Sequence, residues 1–159
     1  VIHIRRAGAL DAAPMAELLN AIIAKGGTTA MVDPVTTAQL RERMRLPGAA
    51  WHLAEDTQGT LMGFQWIEPH PDLPEGGVDV ATFVRIGETG IGIGSSLFEE
   101  TRKAAKDMGY THIHAIIRAD NSGGMAYYQS RGFETYRLLP DSPLGDGRRV
   151  DKVWKRYEL

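Results

Sequence analysis

Apolar and polar residues alternate from Val1 to Arg6, the period of a half-buried strand. Past Asp11 the period lengthens. Met15, Leu18, Leu19, Ile22 and Ile23 recur at helical spacing, with Asp11 as the expected cap and Gly26-Gly27 as the end of the helix. Thr36-x-x-Gln39 has the form of a capping box and predicts a short second helix through Met44, stopped before Pro47. Trp51 to Glu55 and Leu61 to Glu68 are predicted strands around a turn at Asp56 to Gly59, hence a hairpin. Pro69 to Gly77 is a proline- and glycine-rich connection. Val78 to Arg85 predicts a strand, and Ile93 to Met108 a helix with Leu97, Thr101, Ala104 and Met108 on one face. Tyr110 to Arg118, β-branched and alternating, reads as a central strand. Asn121 begins a helix to about Ser130 that Gly132 ends, and Phe133 to Leu139 and Val150 to Tyr157 form a last pair of strands. The order β-α-α-β-β-β-α-β-α-β-β is that of a mixed α/β domain with no internal repeat.

Composition narrows the partners. At 159 residues the chain suffices for one domain, 1–159, with a full core. A content of 43% hydrophobic and 24% charged residues describes a soluble globular protein and excludes a disordered one. The formal charge of −2 gives no basic field, so no nucleic acid partner is expected. No apolar run approaches the ~18 residues of a membrane span, and V-I-H-I-R-R lacks the apolar stretch of a signal peptide. No membrane partner and a cytoplasmic location are the expectations. Zero cysteines removes disulfides, thiolate metal sites and a cysteine nucleophile together. The chain opens with Val1 and not methionine, so a few residues or a tag are expected to be missing before it.

The segment with the most chemistry is Thr89 to Leu97, T-G-I-G-I-G-S-S-L. Glycines at Gly90, Gly92 and Gly94 remove the Cβ that would hold the main chain away from a ligand and permit positive φ, so that N–H groups can converge. The following helix aims its own unpaired N–H groups and positive dipole end at the same place. A phosphate or pyrophosphate is the expected guest. A P-loop would require Gly-Lys-Ser/Thr, and this loop has no lysine. A dinucleotide fingerprint would read G-x-G-x-x-G, whereas here the run is G-x-G-x-G with no matching acid about 20 residues on.

A second block, N-x-x-x-x-x-x-Y-x-x-x-G-F from Asn121 to Phe133, joins the glycine loop, and with both the chain resembles the GCN5-related N-acetyltransferases. That family's pyrophosphate loop, Q/R-x-x-G-x-G/A, is matched by Thr89-x-x-Gly92-x-Gly94, and its later block by Asn121, Tyr128, Gly132 and Phe133. The resemblance covers nearly the whole chain. It implies a mixed, mostly antiparallel central sheet flanked by helices on both faces. Within the family, D-V-A-T-F-V before the loop and G-R-R-V-D-K-V near the end look most like the phosphinothricin-acetyltransferase-like branch, for which a homodimer is the expectation. Thr89 departs from the pattern, standing where the family has glutamine or arginine. Weaker affinity for the donor is expected, not loss of binding, because main-chain N–H groups supply most of the grip.

What the resemblance implies for the site is an acetyl-CoA co-substrate, a small-molecule amine acceptor and no covalent enzyme intermediate. Main-chain groups of Thr82, Phe83 and Val84 would hold the pantetheine arm, and N–H groups from Gly90, Ile91, Gly92, Ile93, Gly94 and Ser95 the pyrophosphate, with Thr89 beside them. Asn121 would contact the pantetheine region. Tyr128 would protonate the departing thiolate, and Asp79 would accept the amine's proton directly or through water, with Glu68 and His70 as fallback bases. Plainer readings stand beside these. Tyr128 could simply pack, since Tyr127 next to it shows that aromatics are welcome on this helix, and a strand acid such as Asp79 commonly faces solvent. His112 and His114 share a strand face, but no third ligand follows at a matching spacing, so no metal is expected. His3 and His52 read as surface or half-buried strand residues, and Trp51, Trp66 and Trp154 as packing groups or walls of an acceptor pocket. Gly26 to Asp33, Pro69 to Gly77 and Asp141 to Arg149 are the loops expected to shape that pocket. Two other functions stay open: an acyl-CoA-binding or sensing module without turnover, and a protein N-acetyltransferase.

Overall fold

The computed structural model describes residues 1–88 and 92–159. Along the chain run β1 (His3–Arg6), a 3-10 turn (Ala9–Asp11), α1 (Ala12–Lys25), α2 (Thr37–Met44), β2 (Ala50–Glu55), β3 (Leu61–Glu68) and β4 (Gly77–Val84). Then follow α3 (Ile93–Asp107), β5 (His112–Arg118), α4 (Ser122–Ser130), β6 (Glu134–Pro143) and β7 (Arg149–Glu158). This is the predicted order, with the 3-10 turn added and β6 extended beyond Leu139.

The described strands form one sheet in the order β1-β2-β3-β4-β5-β7-β6, antiparallel at every junction except β4–β5. Alternation along β4 sorts its side chains between two helical layers. Phe83 and Ala81 face the layer of α1 and α2, where Met15, Leu18, Leu19, Ile22 and Leu40 cover Trp51, Phe64 and Trp66. Val78 and Val80 face α3 and α4, where Phe98, Ala105, Tyr128 and Phe133 pack with Ile113, Ala115 and Ile117. β3 lies between both layers, and all its residues are buried. No helix among the described residues is long and apolar enough to cross a membrane.

Local signals explain most boundaries. The capping box of α2 forms as predicted, Gln39 N–H donating to Thr36 Oγ1 (3.1 Å) and Thr36 N–H to Gln39 Oε1 (2.8 Å). Three expectations need correction. Asp11 does not cap α1 through its side chain; its carboxylate accepts from Gly8 N–H (2.7 Å) and from both Arg5 Nη atoms (2.8 and 2.9 Å), which anchors the 3-10 turn instead. The inner row of α3 is Leu97, Thr101 and Ala105 at four-residue spacing, and Met108 lies at the C-cap, exposed. His52 is neither at the surface nor half-buried: it is buried on β2, and desolvation by that burial holds its imidazole down to about 4.

Candidate active site

The site begins where two parallel strands part. β4 and β5 pair over Gly77↔His112, Val78↔Ile113 and Asp79↔His114 only, although β4 continues to Val84 and β5 to Arg118. From Val80 onward the β5 side of β4 has no strand partner among the described residues, while its other side stays paired with β3 through Gly63↔Val84. The open edge carries the main-chain groups of Thr82, Phe83 and Val84 and can take up an extended ligand as a further strand would.

Tyr128 of α4 reaches this edge from the α3/α4 side. It is buried, and its hydroxyl lies 2.8 Å from Thr82 Oγ1. Burial drives its phenol pKa upward, with Tyr127 adding to the rise and the Thr82 contact opposing it. It therefore stays protonated across the physiological range, ready to donate. Tyr127 is not a mere packing neighbour. Its hydroxyl donates to the Gly94 carbonyl (2.7 Å) and accepts from Gln65 Nε2 (3.1 Å), and the same Nε2 donates to Thr82 Oγ1 (2.8 Å).

Asp79 sits at the fork itself, on the opposite face of β4. Burial first, and the Glu68 carboxylate second, push its pKa up to about 7; Arg43 and the Val80 N–H oppose the rise. Asp79 and Glu68 are direct cross-strand partners, so two carboxylates share one location. Glu68 is held by Arg43 of α2 through Nη2 (2.6 Å) and Nε (3.0 Å to each oxygen), and the Arg43 guanidinium lies 4.8 Å from the centre of the Trp66 ring. A carboxyl group titrating near neutrality is poised to take a proton from an amine.

Beside Asp79 in register, His114 is fully buried, and desolvation holds its imidazole down to about 4. Its Nδ1 lies 2.7 Å from the Tyr136 hydroxyl, and the Tyr136 ring meets Trp154 edge-on at 6.3 Å. His70 turns its own ring edge-on to Trp154 (6.1 Å) and accepts the Asp72 N–H at Nδ1 (3.1 Å). Trp51 and Trp66 instead stack in the core, 4.3 Å between ring centres. Trp154 is the tryptophan attached to the aromatic group beside the fork.

Of the glycine loop, Thr89, Gly90 and Ile91 lie outside the described residues. Gly92 is the N-cap of α3 at φ 84°, and a Cβ built there would meet nothing within 4 Å among the described residues, so the left-handed backbone is its reason to be glycine. Gly94 has a different reason to be glycine: a Cβ there would lie 2.7 Å from Tyr127 Cε1. Ile93 is buried against Leu97, Ala54 and Met62, and Ser95 lies in the first turn of α3. Asn121 caps α4, accepting from Gly124 N–H at 2.9 Å, and donates to the Thr28 carbonyl at 3.0 Å. Arg118 likewise donates to the Thr29 carbonyl (3.2 Å). These bonds draw the α1–α2 loop across the C-terminal end of β5, and Val32 on the same loop approaches Gly145 on the β6–β7 turn, within 3.0 Å of a Cβ built there. Two of the three loops expected around an acceptor therefore meet.

Sequence reasoning missed Gln65, Tyr127 and Arg43. Gln65 was legible as a polar residue in the apolar run L-M-G-F-Q-W-I, a buried amide that must find partners. Arg43, on a polar helix, gave no comparable signal.

Comparison with known proteins accords with this geometry. The profile described as the acetyltransferase (GNAT) family matches residues 16–133. The chain is 26% identical over 145 residues to YwnH of Bacillus subtilis (strain 168), which bears a provisional phosphinothricin acetyltransferase name, covering 89% of each chain. It is 29% identical over 115 residues to a mycothiol acetyltransferase of Kocuria rhizophila, covering 65% of this chain and 37% of that one. Among solved structures, a phosphinothricin acetyltransferase of Sinorhizobium meliloti in complex with acetyl-CoA superposes at TM-score 0.89 and 21% identity, over 99% of this chain and 88% of the other.

Proposed function

Because the chain belongs to the acetyltransferase (GNAT) family and is an N-acetyltransferase, we propose that it transfers an acetyl group from acetyl-CoA to the primary amine of a small molecule, by direct attack in a ternary complex. The observation that carries this reading is the placing of Asp79 and Tyr128 on the two faces of β4 where β4 and β5 part. The residues present fit an acyl-CoA substrate. The open edge of β4 offers main-chain groups to an extended pantetheine arm, and Gly92 sets no side chain at the start of α3, where the N–H groups of Ile93, Gly94 and Ser95 would face a pyrophosphate.

In the reaction the amine nitrogen attacks the thioester carbon, and a C–N bond forms. Asp79 takes the proton the amine sheds, directly or through water. The C–S bond then breaks, and Tyr128 gives its hydroxyl proton to the sulfur as CoA leaves. Glu68, already engaged by Arg43, is less free to act as base than Asp79. Asn121, whose side chain is committed to the α4 cap and to Thr28, contributes to the donor site chiefly by fixing the start of α4.

Similarity to phosphinothricin acetyltransferases supports a small acceptor, and so does the closure of the α1–α2 loop against Arg118, Asn121 and Gly145. A homodimer in the cytoplasm completes the reading, and light scattering at micromolar concentration tests the assembly. The activity itself is tested by CoA release from acetyl-CoA with phosphinothricin, 2-phenylethylamine, spermidine and an alanyl tripeptide. Turnover with a small amine supports the reading, and preference for the tripeptide moves it to protein acetylation. Tight acetyl-CoA binding with no CoA release leaves a binding module.

A further inference from the structure

Three hydroxyls and one amide form a chain of bonds whose direction follows from counting protons. Tyr127 has one hydroxyl proton, and the Gly94 carbonyl at 2.7 Å can only accept it. The group facing the Tyr127 oxygen at 3.1 Å must then be a donor, which fixes that atom of Gln65 as Nε2. The same nitrogen lies 2.8 Å from Thr82 Oγ1, so Thr82 also accepts from it. Of the acceptors near Thr82, the Tyr127 oxygen is already engaged with Gly94 and Gln65, so the Thr82 proton is best used toward the Tyr128 oxygen at 2.8 Å. Gln65 is fully buried and directly opposite Thr82 in the β3–β4 register, so the row is built into the sheet.

We propose that Gln65 and Thr82 are positioning residues for Tyr128: the outward chain Gln65 to Thr82 to Tyr128 leaves the Tyr128 proton free for the departing thiolate and steadies the phenolate left behind. The inference rests on the reading of Tyr128 as the acid. When the C–S bond breaks, the Tyr128 O–H bond breaks and an S–H bond forms. The phenolate, holding the Thr82 hydrogen bond, regains a proton from solvent water after CoA leaves. Reversing the chain would direct the Tyr128 proton at Thr82 and away from the reacting sulfur.

A double-mutant cycle tests the idea, using acetyl-CoA and whichever amine of the panel above releases CoA fastest. Thr82→Val keeps the shape and removes the hydroxyl, and it should lower kcat about tenfold while the KM for acetyl-CoA stays within about twofold. Thr82→Ser should restore most of kcat. In the Tyr128→Phe background Thr82→Val should cost nothing further, because its action passes through the missing hydroxyl. Gln65→Met, lacking both N–H donors, should behave the same way with a smaller loss, about threefold. An equal loss from Thr82→Val in both backgrounds overturns the inference and leaves the acid reading standing, provided that Tyr128→Phe alone is costly. Near-normal turnover in Tyr128→Phe alone overturns the acid reading, and this inference with it.

Discussion

In the proposed reaction the two faces of β4 carry opposite halves of one proton transfer, and different physics acts on each. On the face toward α1 and α2, burial and the charge of Glu68 raise the pKa of Asp79 to about 7, which suits the base proposed there. On the face toward α3 and α4, the proposed donor Tyr128 is set by support. It is buried with a hydroxyl partner, Thr82, which is in turn bonded to Gln65. The strand edge between the faces is where β5 has departed. On the proposed reading, alternation along one strand holds an acid and a base apart while serving one reacting bond.

The sharpest way to break the comparison is to delete the donor side. Tyr128→Phe keeps the ring, which packs against Phe133 at 5.1 Å between centres, and removes only the hydroxyl. We expect kcat to fall by about 10²-fold or more, with acetyl-CoA affinity nearly unchanged. Single-turnover kinetics check it, and a kcat within about threefold of the parent would mean that the two faces are not an acid and a base.

Deleting the base side should do less, since water can replace a base more readily than it can replace an aimed donor. Asp79→Asn is expected to lower kcat/KM at pH 8 by about 10- to 100-fold and to abolish the rise of activity through pH 7. Its effect on stability has the opposite sign. The folded pKa of Asp79 lies above its value of 3.8 in the unfolded chain, so folding binds a proton between those values. The Asp79 contribution is most favourable below pH 4 and is lost as pH rises through 7. At pH 8 the Asn variant should therefore be more stable than the parent by about 1–3 kcal/mol, and the gap should close toward pH 4, as urea titrations at both pH values would reveal.

How much of this was legible in the sequence follows from the range of each force involved. Element order, the capping box at Thr36 and the fork-flanking segments are set by neighbours within a few positions, so periodicity and turn chemistry reported them. The second family block pointed to Tyr128, and the likeness to the phosphinothricin-acetyltransferase-like branch pointed to Asp79. Nothing local announced that Gly94 faces Tyr127, 33 positions away, or that Asn121 ties down the carbonyl of Thr28, 93 positions away. Such pairings depend on how α3, α4 and the α1–α2 loop converge after folding. The same holds for His52 and His114, whose imidazoles look like surface groups in an alternating strand until two helical layers and the β6–β7 hairpin are in place.

The two glycines that the loop motif treats alike separate next. An added Cβ at Gly92 meets nothing within 4 Å among the described residues, so the expected cost of Gly92→Ala is that of the left-handed backbone, about 1–2 kcal/mol. At Gly94 the Cβ must displace the Tyr127 ring, which also holds Gln65. Gly94→Val should therefore destabilise the protein by more than Gly92→Ala does. Thermal denaturation of both variants decides the order; equal losses would detach the loop from the Tyr128 side of the comparison.

The smallest effect isolates the second cause of the Asp79 shift. Glu68 faces Asp79 across the strand pair and raises its pKa, but burial is the larger cause, and Arg43 already offsets part of the Glu68 charge. Removing that charge in Glu68→Gln takes away the repulsion and leaves Arg43 closer to unopposed. Both changes favour the Asp79 carboxylate, so the acid limb of kcat/KM should move to lower pH while activity on the plateau stays within a few-fold of the parent. The limb should not fall all the way to an ordinary carboxylate value, because desolvation at the fork remains. A pH–rate profile from pH 5 to 9 reads the shift directly. Movement to higher pH, or none, would assign the limb to a group other than Asp79 and leave the α1/α2 face of β4 without its base.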